Sequence, residues 1–334
     1  MATIKDVAKM AGVAVSTASY ALNNTNKVSP ATRKKVFEAA KQLNYQKNGL
    51  ASDLKKTNTN TIALILSDLS GPFYSELIKG VQDVTMANGY DLIACSSIGG
   101  NQSTAVKFLK EKRVDGVIIL AHNISDDIIL DSAREGFPIV VLDRKLENEH
   151  VLHVEVDNVH GGYLATEYLI EQGHEEIAYI SGPYNSHDNE LRFEGYMEAL
   201  KNHHLPYQSK WKISGDFTRE GGYKATKMLI AQGDLPQAVF YANDEMALGG
   251  MQAFSEKGIS IPEDISIIGF DDIQLSEYLS PPLTTIRQPK YEAGALAVHS
   301  VFQELAKEKV DRYYKLSTEL IERKSVKRYD KSRS

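Results

Sequence analysis

Three kinds of pattern succeed one another along the chain. From Thr3 to Tyr45 apolar positions recur at helical spacing in short stretches. Ile4, Val7, Ala8 and Ala11 fall at i, i+3, i+4 and i+7, one face of a short helix. Thr3 is placed to cap that helix, and Asp6, three residues on, to reach back as in a capping box. Gly12 then permits a sharp turn, because it tolerates backbone angles that other residues resist. A second helix turns Ala18, Ala21 and Leu22 inward and Val15, Ser16, Thr17, Ser19, Tyr20 and Asn23 mostly outward. A third begins at Ser29-Pro30, a good N-cap followed by a residue suited to the first turn. Its Val36, Ala39, Ala40 and Leu43 face in, while Arg33, Lys34, Lys35 and Lys41 face out. Small polar side chains on an exposed second helix suit base edges and phosphates in a DNA major groove. A generic helical hairpin fits the same pattern.

Gln46–Asn60 is polar, ends in a Thr/Asn run and reads as a linker. Within it Leu50, Ala51 and Leu54 lie at i, i+1 and i+4, enough for one short helix. Gly49 weakens that helix by about 1 kcal/mol relative to alanine. A helix this short forms only when something packs against it.

From Thr61 the pattern becomes apolar strands alternating with amphipathic helices. Strands are expected over 62–66, 92–94, 116–120, 139–142, 177–180, 238–241, 265–269 and 284–286. Helices are expected near 74–88, 102–112, 126–135, 158–172, 190–202, 219–232, 244–257 and 291–308. Continuous apolar strands separated by helices indicate parallel sheets covered on both faces. Eight such units exceed one comfortable sheet, so an α/β core of two doubly wound lobes is expected. No short-period repeat suggests a solenoid.

Charge sharpens this division. The chain carries −6 overall, but residues 1–60 hold ten Lys or Arg against three Asp or Glu. The head is therefore +7 and the remaining body −13, an arrangement that suits polyanion binding by the head alone. An apolar content of 42% and a charged content of 25% are ordinary for a globular protein. No run of eighteen apolar residues appears. Charged Lys5, Asp6 and Lys9 interrupt any leader-like start, so the expected address is the cytoplasm. Cys95, the lone cysteine, sits in an apolar run and reads as a structural thiol.

Chemistry-bearing motifs of enzymes are missing. There is no Gly-x-x-x-x-Gly-Lys-Ser/Thr phosphate loop, no Gly-x-Ser-x-Gly elbow and no His-Glu-x-x-His. The nine histidines are scattered. Neither a catalytic residue, a metal nor a cofactor is expected. Ligand residues in open α/β lobes sit just beyond the carboxyl ends of strands. Ser70, Phe73 and Tyr74 follow the first strand in this way, Asp143 the fourth, Asn243 the strand ending at Tyr241, and Asp271 the strand ending at Gly269. Carboxylates accept hydroxyl protons and aromatic rings offer an apolar face, so the set suits a sugar or nucleoside better than a hydrocarbon. Asp143 and Asp157 are also suited to capping, and Phe73 to the core.

Read together, these stretches resemble the LacI/GalR family of bacterial transcriptional regulators over nearly the whole chain. The resemblance rests on Thr3-Ile4-x-Asp6-Val7-Ala8, Thr17-x-Ser19, Leu22-Asn23, Val28-Ser29 and Leu43-x-Tyr45 at the start. It continues in Asp68-Leu69-Ser70-x-Pro72-Phe73-Tyr74, Asp157-Asn158, Arg192-x-x-Gly195-Tyr196, Asn243-Asp244-x-Met246-Ala247 and Gly269-Phe270-Asp271-Asp272. Pro282-Leu283-Thr284-Thr285-Ile286 and Glu319-Leu320-Ile321-x-Arg323 close the series.

The resemblance implies a helix-turn-helix domain over 1–46, a hinge helix and linker over 47–60, and a periplasmic-binding-protein-like core over 61–334. One lobe would comprise about 61–157 and 289–315, the other about 158–288 and 316–327, with crossings near Asn158, Gln288 and Lys315. It implies that Val15, Ser16 and Tyr20 face base edges, while Thr17, Ser19 and Asn23 position the backbone. Thr3, Ser29, Tyr45, Asn48 and Ala51 join that DNA surface, with Leu54 as a minor-groove wedge. It adds Arg192, Phe217, Asp157 and Gln288 to the effector residues. Implied partners are a pseudo-palindromic operator, a sugar or sugar phosphate effector, and a second copy of the chain. No leucine heptads follow Val326, so a dimer is the default.

The function implied is an effector-controlled repressor of sugar-utilisation genes; a purine-responsive repressor or a catabolite regulator with a protein co-effector are the alternatives. The helix from Tyr291 to Leu305 has no Lys or Arg to receive a phosphorylated protein, which ranks the last reading lower. Three positions depart from the family pattern. Ala14 stands where a capping serine is common, Tyr20 where arginine is common, and Lys47 where proline is common. Tyrosine cannot make arginine's bidentate contact with guanine.

Overall fold

A computed structural model describes residues 2–23, 27–45, 58–111, 113–142 and 144–329. The chain divides into two compact units, residues 1–59 and 60–334.

The first unit contains α1 (Ile4–Ala11), α2 (Val15–Leu22) and α3 (Pro30–Gln42). The Thr3 hydroxyl accepts from the Asp6 N–H, and the Asp6 carboxylate accepts from the Thr3 N–H at 2.8 Å, so both halves of the capping box are present. Gly12 adopts a left-handed φ of 66° and ends α1, which aims the chain into α2. Ser29 caps α3 through the Thr32 N–H, with Pro30 in its first turn. Val7, Ala8, Ala18, Ala21, Val36, Ala39 and Ala40 form the buried centre, flanked by Ile4, Ala11, Leu22, Leu43 and Tyr45. These are mostly alanines, so the core is small and each methyl matters.

The second unit holds two six-stranded sheets. Its elements in chain order begin with β1 (Thr61–Leu66), α4 (Phe73–Ala87), β2 (Asp91–Ser96), α5 (Ala105–Lys110), β3 (Gly116–Leu120) and α6 (Asp126–Ser132). Then come β4 (Ile139–Val141), β5 (Val151–Val156), α7 (Asn158–Glu171), β6 (Ile177–Ser181), α8 (His187–Asn202) and β7 (Lys212–Ser214). The remainder is α9 (Arg219–Ala231), β8 (Ala238–Tyr241), α10 (Asp244–Glu256), β9 (Ser266–Asp271), β10 (Thr284–Arg287), α11 (Lys290–Leu305), β11 (Tyr313–Leu316) and β12 (Glu319–Ile321).

The first sheet runs β11-β5-β4-β3-β1-β2 and the second β12-β10-β9-β8-β6-β7. All pairings are parallel except β10 with β12, which is antiparallel. The chain passes from one sheet to the other three times, between β5 and α7, between β10 and α11, and between β11 and β12. Central strands are buried throughout, as Ile62–Leu66 and Ala238–Tyr241 illustrate. Helices cover both faces of the first sheet, which separates its core into two layers.

Four strands escape the sequence pattern: β5, β7, β11 and β12. His153 and Glu155 interrupt the apolar run of β5, and the other three lie at sheet edges with exposed Lys, Tyr or Glu side chains. Edge strands need no continuous apolar run, because one side faces solvent. Helix α5 is shorter than expected and α8 starts earlier, at the Ser186 cap.

One close approach positions the site described next. A Cβ at Gly162 on α7 would collide with the Arg192 carbonyl oxygen on α8, and one at Gly195 with the Val159 carbonyl. The two helices therefore meet backbone to backbone, with Arg192 at their crossing.

Candidate effector cleft and DNA-binding surface

On the first unit, Val15, Ser16, Tyr20 and Asn23 are exposed along α2, while Thr17 and Ser19 are half-buried. The Asn23 amide donates to the Ser19 hydroxyl at 3.3 Å. The Lys27 ammonium stands 5.1 Å from the Tyr20 ring centre, which adds positive charge beside that ring. Ala14 begins α2 with no side-chain hydrogen bond, so the helix lacks the cap that a serine would supply. Thr3 and Ser29 spend their hydroxyls on capping α1 and α3, and Tyr45 packs against the three-helix core. The expectations for Asn48, Ala51 and Leu54 lie outside the described residues.

Between the two sheets of the second unit lies a cavity of about 490 Å³. Its walls are the segments that follow strand carboxyl ends. From the first lobe come Ser67, Asp68, Ser70, Phe73 and Tyr74 after β1, and His122 and Asn123 after β3. From the second come Ser186, His187, Asp188 and Arg192 after β6, Asp216, Phe217 and Thr218 after β7, Asn243 and Glu245 after β8, and Asp271 at the end of β9. A cavity of this size with convergent polar groups has the character of a small-molecule site.

Arg192 is the buried hub of the second wall, 4% exposed. Its Nε donates to Asn158 Oδ1 at 2.9 Å and its Nη1 to the Ala242 carbonyl at 2.6 Å. The guanidinium lies 3.9 Å from the Phe270 ring centre and 3.6 Å from the Asp271 carboxylate. Burial pushes the Asp271 carboxyl up to about 6, against the lowering pull of Arg192 and Lys290. Asp271 also accepts from the Gln288 amide at 2.6 Å.

Asp271 and Asp272 have φ of 116° and 50°, a region that residues with a Cβ seldom adopt. Three cations hold them there. Arg287 and Arg323 each lie 2.7 Å from the Asp272 carboxylate, and the Lys290 ammonium donates to the carbonyls of Asp271 at 2.5 Å and Asp272 at 3.1 Å. Lys290 opens α11 in the first lobe and lies 3.6 Å from Glu76 on α4, so it ties the strained loop to the opposite lobe.

Beneath this loop Asp244 is fully buried and accepts from the Ile273 N–H, the Ser276 hydroxyl and the Thr285 hydroxyl at 3.0, 2.7 and 2.6 Å. Burial, with Asp271 nearby, pushes its carboxyl up to about 7. Asn243 caps α10 through the Met246 N–H and donates its amide to the Phe217 carbonyl, which fixes Phe217 at a φ of 66°. Phe73 and Tyr74 stand edge to face at 5.3 Å on the opposite wall.

The structure thus brings Ser70, Phe73, Tyr74, Arg192, Phe217, Asn243 and Asp271 to one cavity. It does not bring Asp157 or Gln288 to the cavity wall. Asp157 caps α7 through the His160 N–H and pairs with Lys315 at 2.8 Å. Burial raises the Asp157 carboxyl, but the Lys315 ammonium and the cap bond outweigh this and hold it below the usual carboxylate range. Gln288 lines a smaller cavity of about 30 Å³ and donates its amide to the Asp271 carboxylate. Asp143 lies outside the described residues. His122, Asn123, Asp188, Asp216 and Glu245 line the cavity but escaped the sequence reading. The strand-end rule could have found the pair after β3, whereas the other three sit on helix starts and a loop that periodicity does not aim.

Two family descriptions match the chain, bacterial regulatory proteins of the lacI family over residues 3–48 and a periplasmic binding protein-like domain over residues 166–326. The repressor PurR of Vibrio cholerae serotype O1 (strain M66-2) is 40% identical over 337 residues, covering 99% of this chain and 100% of PurR. The chain belongs to the lacI family of bacterial regulatory proteins. Among solved structures, the lac repressor dimer bound to operator and the anti-inducer ONPF matches with a TM-score of 0.76 at 29% identity, covering 98% of this chain and 99% of that one. The regulator CelR in complex with cellobiose matches with a TM-score of 0.72 at 32% identity, covering 97% and 100%.

Membership makes the protein a ligand-responsive, DNA-binding transcriptional regulator and not an enzyme. Within the family, the first unit is the helix-turn-helix region and the second the two-lobed ligand-binding core. Among the described residues no helix is long and apolar enough to cross a membrane.

Proposed function

We propose that this protein is a homodimeric repressor whose hold on a pseudo-palindromic operator is set by a sugar-class molecule in the interlobe cleft. The observation that carries this reading is the composition of the cavity. Buried Arg192 and Asp271 face it beside Asn243, His122 and Asn123, with Phe73 and Phe217 among its lining residues. Hydroxyl groups need a dense set of donors and acceptors, and the C–H face of a sugar ring needs an aromatic surface. CelR, which resembles this chain over nearly its whole length, is a cellobiose complex. Closing two lobes on a ligand shifts the equilibrium between lobe arrangements only by the ligand's differential affinity for them. Operator affinity follows with the same coupling free energy. Val15, Ser16 and Tyr20 read base edges in this proposal, and Tyr20 makes the preferred operator differ from those read by arginine.

A purine effector is the second reading, favoured by PurR as a 40% identical relative and by three aromatic side chains in the cavity lining, Phe73, Tyr74 and Phe217. A thermal-shift series with cellobiose, other free sugars and the purine bases adenine, guanine and hypoxanthine separates the two. A ligand that binds the folded state raises the melting temperature. The sugar reading expects a sugar to raise it and to change affinity for DNA from upstream of the protein's own gene. Stabilisation by a purine base with none by any sugar refutes it.

A further inference from the structure

The charges around the cleft point to one further property of its ligand. We infer that the cleft takes an uncharged polyhydroxylated ligand and excludes the phosphate ester of the same molecule. This rests on the small-molecule reading above and narrows it.

Five carboxylates line the cavity, Asp68, Asp188, Asp216, Glu245 and Asp271, against one guanidinium, Arg192, and two imidazoles, His122 beside the Ser67 hydroxyl and His187 at 3.7 Å from Glu190. That guanidinium is already committed. It lies 3.6 Å from Asp271 and donates to Asn158 and to the Ala242 carbonyl. Lys290, the next cation inward, is 3% exposed and spends its ammonium on two backbone carbonyls and Glu76. Asp68 accepts from the Ser70 N–H at 2.8 Å, and Asp216 from the N–H and hydroxyl of Thr218 at 2.9 and 2.6 Å. These donors are neutral and leave the negative charge in place. Asp68 stands on one lobe and Asp216 on the other, so closure would press an anion between like charges.

The second observation concerns helix starts. The positive end of a helix is the usual place to seat a phosphate. Four helices open toward this cleft, and each carries its own carboxylate in the first turn: Glu76 on α4, Asp188 and Glu190 on α8, Glu220 on α9, and Glu245 on α10. Those dipoles are compensated from within the chain. A hydroxyl-rich neutral ligand gains from the carboxylates that line the cavity, Asp68, Asp188, Asp216 and Glu245, since a carboxylate accepts an O–H. A phosphate ester gains nothing from them and meets repulsion from both walls. With partly solvated charges several ångströms away, the discrimination is on the order of tenfold or more in affinity.

The test pairs each free sugar with its own ester, ribose with ribose 5-phosphate and glucose with glucose 6-phosphate, alongside cellobiose. Melting temperature and calorimetric affinity are read for each. A second arm compares inorganic phosphate with chloride at matched ionic strength, on the natural chain and on the Asp188→Asn/Glu245→Gln double variant. The expected result is that free sugars bind at least tenfold tighter than their esters. Inorganic phosphate should not raise the melting temperature of the natural chain, and should raise that of the double variant. An ester that binds as tightly as its parent, or stabilisation of the natural chain by phosphate, overturns the inference. A double variant that gains no phosphate response overturns its assignment to these carboxylates. Failure of every free sugar to bind overturns the sugar reading instead, and the phosphate arm still decides the exclusion.

Discussion

Arg192→Met removes the cation at the centre of the cleft while keeping an unbranched chain of similar length. Three buried groups lose their partner at once: the Asp271 carboxylate at 3.6 Å, the Asn158 Oδ1 at 2.9 Å and the Ala242 carbonyl at 2.6 Å. Leaving one member of a buried ion pair behind costs about 3–5 kcal/mol. Each orphaned neutral acceptor costs about 1–3 kcal/mol more. With two such acceptors, a loss of about 5 kcal/mol or more in the second lobe is expected.

The sign with pH follows from Asp271. Burial already holds its folded pKa above the unfolded value, and without Arg192 it rises further. A carboxyl raised in this way contributes stability below its unfolded pKa and loses it as pH rises through the folded one. The deficit of Arg192→Met is therefore larger at pH 8 than at pH 5. Urea unfolding followed by the fluorescence of Trp211 reads this directly, because the single tryptophan is buried in the same lobe. Adding Asp271→Asn to Arg192→Met should recover part of the loss at pH 8, since the stranded charge is gone. A variant within about 0.5 kcal/mol of the natural chain at pH 8 would refute the buried-pair argument; so would a double-variant loss equal to the sum of the two single losses.

Two further outcomes follow from the same chemistry. Asp244 has a folded pKa raised to about 7, so its stability contribution is full below about pH 4 and is lost as pH approaches 7. Asp244→Asn keeps acceptors for the Ile273 and Ser276 donors and an amide donor for Thr285. Its stability relative to the natural chain should rise from pH 4 to pH 8 in urea titrations, and a pH-independent difference counts against a proton-binding Asp244. On the first unit, Ala14→Ser supplies the missing cap of α2 and should stabilise that helix by about 1 kcal/mol. Hydrogen exchange of its first-turn amides should slow about fivefold, and unchanged exchange would mean the uncapped end is already satisfied.

Much of this protein is legible without coordinates, because its local rules are strong. The Thr3–Asp6 capping box, the Gly12 turn and the Ser29-Pro30 start each depend on residues within four positions of one another, and each forms. The central strands are readable because burial on both faces demands an unbroken apolar run, as in Ile62–Leu66. The cleft was half legible for the same reason, since a residue just beyond such a strand has few other places to point. Ser70, Phe73, Asn243 and Asp271 were found that way.

What the tertiary structure alone decided is whatever depends on distant segments meeting. β5 and the edge strands β7, β11 and β12 exist because neighbours supply their hydrogen bonds, and their own side chains carry no continuous apolar signal. Asp157 became a cap and a partner of Lys315, and Gln288 a support for Asp271, because residues far along the chain fold against them. The same holds for the meeting of Asp68 and Asp216 across one cavity and for the commitment of Arg192 to Asp271. Charge along the sequence marks a basic head on an acidic body. Only the fold gathers five of the body's carboxylates around one cavity, because electrostatic environment is set by distance in space and not by separation along the chain.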